Sequence, residues 1–163
     1  MASNQDSFFK MYGADELAKE LKELSRGMQN KILRSPMTKA VAEVRKDAKK
    51  YVNVDKGTIK KFLKSKTFTA KRGSKGIVGR IGVFDNVVIP NGNDGVEVAK
   101  YTAVQNFGTD KAGKDRSTTI PAQGFLEKAL KSAEGRAVAK LISETQKKMD
   151  AFHASKGDKG KPK

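Results

Sequence analysis

The chain has no cysteine and no tryptophan, a single histidine and only four prolines in 163 residues. Without cysteine, disulfides and thiolate metal sites are excluded. His153 alone cannot build a histidine metal centre. No apolar run approaches the ~20 residues that a bilayer span needs, so no membrane partner is expected. The start, Met-Ala-Ser-Asn-Gln-Asp, has neither a basic region nor an apolar segment and does not read as a signal peptide. The expectation is a soluble protein made in the cytoplasm. Aromatics are sparse: Tyr12, Tyr51 and Tyr101 join eight phenylalanines. The basic runs are not interleaved with them as in a base-stacking platform.

Charge of one sign is plentiful. Lys and Arg number 34 against 18 Asp and Glu, giving a formal net charge of +16 and a pI near 10.0. That balance favours polyanionic partners, either nucleic acid or an acidic protein surface. Lysine recurs in nearly every segment, the pattern of a solvated surface. A length of 163 residues and a mass of 17.8 kDa fit one domain with a sizeable core.

Along the chain, residues 1–13 read as an arm. Phe8, Phe9 and Tyr12 cluster in it, either packing on the protein's own core or docking onto a neighbouring subunit. Leu17, Leu21, Leu24, Met28 and Ile32 keep one helical period. Ser35-Pro36 reads as a cap and first-turn proline, which predicts a second helix starting there. Its apolar face takes in Val41, Val44, Ala48 and Tyr51. Asp55 can cap a helical turn, and Gly57 relieves the backbone where the direction changes. Strands are predicted at 66–70 and 77–84, joined by a cationic turn at 71–76. Pro90 to Gly95 is a turn cluster. The segment 96–107 reads as a short helix ending at Gly108, although its β-branched content also fits a strand. A polar loop with Lys111, Lys114 and Arg116 follows. Pro121 then opens a long amphipathic helix whose apolar face includes Phe125, Leu126, Leu130 and Met149. Residues 155–163 carry no apolar side chain and read as a disordered basic tail.

The expected fold class is α+β: a small antiparallel sheet packed by N-terminal helices and a long C-terminal helix. The expected division is an arm (1–13), a single domain (14–154) and a tail (155–163). Catalytic chemistry finds no footing. Gly108 to Asp115 has the spacing of a phosphate-binding loop, but Asp115 replaces the hydroxyl that would hold magnesium. The carboxylates Asp85, Asp94, Glu97 and Asp110 show no acid–base pairing. His153 has no serine or carboxylate constellation beside it in sequence. No enzyme and no cofactor are expected.

Two stretches carry a resemblance. One is Val54-Asp55-Lys-Gly57-Thr-Ile59. The other runs from Tyr101 through Phe107-Gly108-Thr109 to Pro121-Ala-Gln-Gly-Phe125-Leu126. Together they resemble the neck or tail-completion family of long-tailed bacteriophages. Ile59 stands where leucine is usual, Asn106 where glutamate is frequent, and Gln123-Gly124 replaces an Arg-Pro pair. The resemblance implies a structural protein of the virion, forming a hexameric ring between the head connector or stopper and the tail tube. Genomic DNA would pass through its lumen without sequence readout. A terminator that caps tube growth is an alternative within the same group. Two cationic sets, Lys71, Arg72 and Lys75 with Lys111, Lys114 and Arg116, are candidate contacts for acidic neighbours or DNA. A free, charge-driven nucleic-acid binder is the reading from a different class.

Overall fold

The computed structural model describes residues 14–52, 57–70, 76–91, 94–112 and 118–157. Two helices form its frame: α2, Arg26–Tyr51, and α5, Phe125–Gly157. They run antiparallel, because rising numbers on α2 meet falling numbers on α5. Ile32 shares a cluster with Met149, Lys39 pairs with Glu144, Asp47 meets Arg136 and Ser132, and Val52 packs with Phe125. Small residues make the close approach possible: Ala48, Ala129 and Ala133 are fully buried between the helices. Phe125 has no exposed surface, a burial worth about 1.5–3 kcal/mol.

The N-terminal helices divide differently from the sequence expectation. The apolar stripe from Leu17 to Ile32 belongs to two helices, α1, Ala14–Glu23, and the start of α2. Between them, the Ser25 carbonyl accepts from the Met28 and Gln29 amides at 2.9 Å each, and the Gln29 side chain donates back to the Leu24 carbonyl at 2.9 Å. The stripe stays in phase across this break because Leu17, Leu21, Leu24, Met28 and Ile32 all pack on one cluster with Met149 of α5. Ser35-Pro36, conversely, starts nothing: Pro36 lies buried inside α2. An interior proline costs about 3 kcal/mol, and the buried neighbours Ile32 and Ala40 keep the helix on course against α5 and the core.

A buried charge cluster ties the frame together. Asp47, 2% exposed, accepts from Ser132 at 2.9 Å and pairs with Arg136 and, at 2.8 Å, with Lys50. Those hydrogen bonds, Lys50 first and then Ser132, with the Arg136 charge, hold its carboxyl down to about 2 against the opposing effect of burial. Glu144 is also held low, chiefly by the Lys39 hydrogen bond.

The strand content is antiparallel throughout the described residues, as expected for the α+β class, and is distributed over three two-stranded ribbons. A short helix, α3, Thr58–Phe62, starts at Gly57, whose φ of 66° suits glycine, and leads into the first ribbon. That ribbon pairs β1, Lys64–Thr69, with β2, Ile77–Gly82, and packs on α2. Thr67 bonds Thr38 at 2.8 Å, and a Cβ on Gly79 would overlap the Val41 side chain, so this face is pressed onto the helix.

The second ribbon pairs β3, Val88–Asn91, with β4, Asp94–Glu97. Pro90, Asn91, Asp94 and Gly95 therefore lie in strands and not in the turn predicted for them. Both strands of a two-stranded ribbon are edges, where proline is tolerated. Helix α4, Val98–Phe107, follows directly and settles the ambiguous segment as helix from Val98 onward. The expected polar loop is a third ribbon, β5, Thr109–Ala112, with β6, Thr118–Ile120. At the far end α5 runs on through Ser155 to Gly157, beyond the point where the tail was expected to begin.

Candidate functional site

The second of the stretches quoted for the phage resemblance forms one junction, where α4 ends, the third ribbon folds back and α5 begins. Gly108 stops α4, its amide donating to the Val104 carbonyl at 2.8 Å. Its backbone, at φ 75° and ψ 175°, is in a region that is nearly exclusive to glycine. A Cβ there would come within 2.8 Å of the Ala122 nitrogen and 2.9 Å of the Ile120 carbonyl oxygen. Only glycine lets the returning chain pass so close.

The start of α5 differs from the sequence prediction. It begins at Phe125, four residues after Pro121, because Gly124 takes a left-handed conformation (φ 59°) and its carbonyl accepts the first helical bond, from Lys128 at 3.0 Å. Glycine at that position has no side chain to satisfy the free amides of the first turn. Asn106 supplies the missing acceptor from another helix: its Oδ1 takes the Leu126 amide at 2.9 Å. The backbone carbonyls of Gln105 and Asn106, orphans of the last turn of α4, accept from the Gln123 and Gly124 amides at 3.0 Å each. Gln123 Nε2 also donates to Gln105 Oε1 at 2.5 Å. Asn106, Gln123 and Gly124 thus meet in one bonded unit.

The motif positions divide by role. Phe125 is core, and Tyr101 and Leu126 pack against that core. Gly57 and Gly108 set backbone turns. Thr109 accepts the Lys111 amide at 3.2 Å on its side chain. Pro121 is exposed. Phe107 is the outlier, a large ring 74% exposed beside this rigid junction. Leu130 and Tyr51, read from sequence as parts of buried stripes, are 55% and 45% exposed. Periodicity put them on the apolar side, but each lies at the margin of the stripe that Ala48, Val52 and Ala129 bury.

Phe8, Phe9, Tyr12, Asp55, Lys71, Arg72, Lys75, Lys114 and Arg116 lie outside the described residues. Of the two cationic sets only Lys111 has a described position, exposed on β5. The segment with phosphate-loop spacing follows a helix and enters a strand, the wrong context for that motif. His153 sits on α5 with Nε2 3.6 Å from Glu20 of α1. Among the described residues no group of three or more His, Cys, Asp or Glu is placed to hold a metal ion, and no helix is long and apolar enough to cross a membrane.

One cationic surface escaped the sequence reading. The alternation of the first ribbon turns Ser65, Thr67, Gly79 and Ile81 towards α2, so Lys64, Lys66, Phe68 and Arg80 face outward. Lys66 and Arg80 are direct cross-strand partners. Like charges in that register repel. Each instead lies over a ring: Lys66 Nζ is 4.8 Å from the Phe84 centroid, and the Arg80 guanidinium 4.8 Å from that of Phe68. Lys61, just before the ribbon, lies 5.5 Å over Phe62. Lys64 pairs with Asp85, whose carboxyl is held low mainly by that hydrogen bond. The signal that could have found this face is a gap in the acids. Between Asp55 and Asp85 the sequence has nine Lys and Arg and no Asp or Glu, so these 29 residues carry +9 of the net +16.

These features define a class: a small α+β scaffold whose distinctive residues lock helices together and leave a ring and a cationic ribbon on the surface. The chain belongs to the family described as "Bacteriophage HK97-gp10, putative tail-component", whose model matches residues 15–108, more than half of its length. No curated protein and no solved structure matches it. The matched range ends at Gly108, inside the junction.

Proposed function

We propose that the chain is a structural, non-catalytic subunit of the neck or head-proximal end of a long-tailed phage. It forms a ring that completes the tail and makes it competent to join a filled head. The observation that carries this reading is the family match over residues 15–108, which covers the Tyr101–Gly108 part of the motif. The junction supports it physically. Phe107 stands exposed on a segment fixed by Gly108 and the Asn106 cap, as an anchor residue of a subunit contact would. Contacts of one surface against a different one close into rings when the rotation permits. The partners in this reading are further copies of the chain, the head connector or stopper, and the tail tube or its terminator.

Electron microscopy of lysates from a phage lacking the gene tests the role. Full heads beside free tails of normal length are the expected result. Overlong tails would reassign the chain to tube termination. Joined, infectious virions of normal appearance would overturn the neck reading altogether.

A further inference from the structure

We infer that the outward face of the first ribbon, built on Lys66 and Arg80, is a binding surface for the sugar-phosphate backbone of duplex DNA, read without regard to sequence. The inference builds on the reading in which DNA passes the assembled subunits, but it concerns the free chain and is tested there.

Positive charge is concentrated in this stretch. Nine cations without an acid in 29 consecutive residues is a concentration that the rest of the chain does not approach, since the other 134 residues share a net +7. Within it, the structure aligns Lys66 and Arg80 across the ladder, where mutual repulsion works against folding. Stacking on Phe84 and Phe68 offsets that repulsion and fixes both charges on the open side of the ribbon. A dense, regular polyanion is the partner that neutralises such a row. Duplex DNA presents one charge per ~1.7 Å of its axis.

The rings decide between forms of nucleic acid. Single-strand binders leave aromatic faces open for bases to stack on. Here Phe68 and Phe84 each have a cation over the ring, so the face offers charges and not stacking platforms. The packing on α2 through Thr67 and Gly79 leaves one face of the ribbon open to a partner. The long cationic side chains of Lys66 and Arg80 on that face suit phosphate oxygens, contacts that position a protein and carry no sequence information.

The test is fluorescence anisotropy of the full chain with a labelled duplex of random sequence, across a salt series. Lys66→Gln/Arg80→Gln is compared with a charge-matched control on α1, Lys19→Gln/Lys22→Gln, all four residues being exposed. Far-ultraviolet circular dichroism verifies that both variants fold. The ribbon variant is expected to lose about 1.8 of the slope of log K against log salt, two phosphate contacts at ~0.9 each, and to bind at least about tenfold more weakly near 50 mM salt. The control is expected to keep most of the wild-type affinity. Equal losses in both variants would mean binding by diffuse net charge and would overturn the assignment. So would tighter binding to the matching single strand, or binding to polyglutamate with none to the duplex, which would assign the face to an acidic protein. Failure here leaves the neck reading standing, because that reading fails only on the morphology of the deletion phage.

Discussion

Removing the side chain of Asn106 should loosen the start of α5 more than its small size suggests. The residue is 5% exposed, and its Oδ1 is the acceptor for the Leu126 amide. Gly124, at the cap position, has no side-chain oxygen to take over, and its carbonyl is already bonded to the Lys128 amide. In Asn106→Ala the Leu126 N–H loses its partner, and losing a helix cap costs about 0.5–2 kcal/mol. A buried site pushes the cost to the upper end, since an orphaned donor is penalised by about 1–3 kcal/mol. A loss of about 1.5–2 kcal/mol in a domain of this size lowers Tm by roughly 3–8 °C. The assay is thermal melting by circular dichroism, with amide hydrogen exchange read at Leu126. Asn106→Asp separates the cap from mere packing. Its carboxylate keeps the acceptor and sits at the positive end of the α5 dipole, so near neutral pH it should melt above the alanine variant. A carboxyl that accepts such a bond has its folded pKa lowered. The aspartate's advantage is therefore complete above its unfolded pKa and is lost as pH falls through the folded value. Alanine and aspartate variants of equal stability at pH 7, or unchanged exchange at Leu126 in the alanine variant, would refute the capping argument.

Three further outcomes are expected. The Asp47 carboxyl is lowered from 3.8 to about 2, so its stabilisation is complete above the upper value and drains as pH falls towards the lower; stability measured by denaturant titration should fall more steeply across that window in the wild type than in Asp47→Asn, and parallel curves would refute it. Phe107→Ser should leave stability within about 0.5 kcal/mol, as for other exposed sites, while failing to complement the deletion phage; full complementation would remove Phe107 from the assembly contact. The fragment 14–108 should show no cooperative melt, because it lacks Phe125, Ala129, Ala133 and Met149 from the two core clusters; a sharp transition would show that the matched region folds alone.

Periodicity made the helix pair legible, and the glycine at 108 made the end of α4 legible, because both signals are local. Pro36 misled because its meaning depends on what surrounds it. At an exposed position it would start a helix, whereas between buried Ile32 and Ala40 it sits in one already held by packing. The break at Ser25 was hidden for the complementary reason, since two helices that pack on the same end of α5 share one stripe. The cationic face was invisible to a count of lysines along the chain. Strand alternation, a hairpin register and two rings from the same acid-free stretch, Phe68 and Phe84, had to be combined before Lys66 and Arg80 came together.

Asn106 and Gly124 follow a similar logic. Read one at a time in the sequence, neither announces a contact. In the structure they answer each other. A glycine that opens α5 without a cap is tolerable because an asparagine two residues before Gly108 reaches across to provide one. The Gln105–Gln123 bond closes the same seam beside it. These side chains and backbone groups thus share one geometry, and Phe107 beside them stands on the surface. The same seam joins the matched range to the helix that follows it. Residues up to Gly108 supply the cap and the receiving carbonyls, and residues beyond it supply the helix that fills the core.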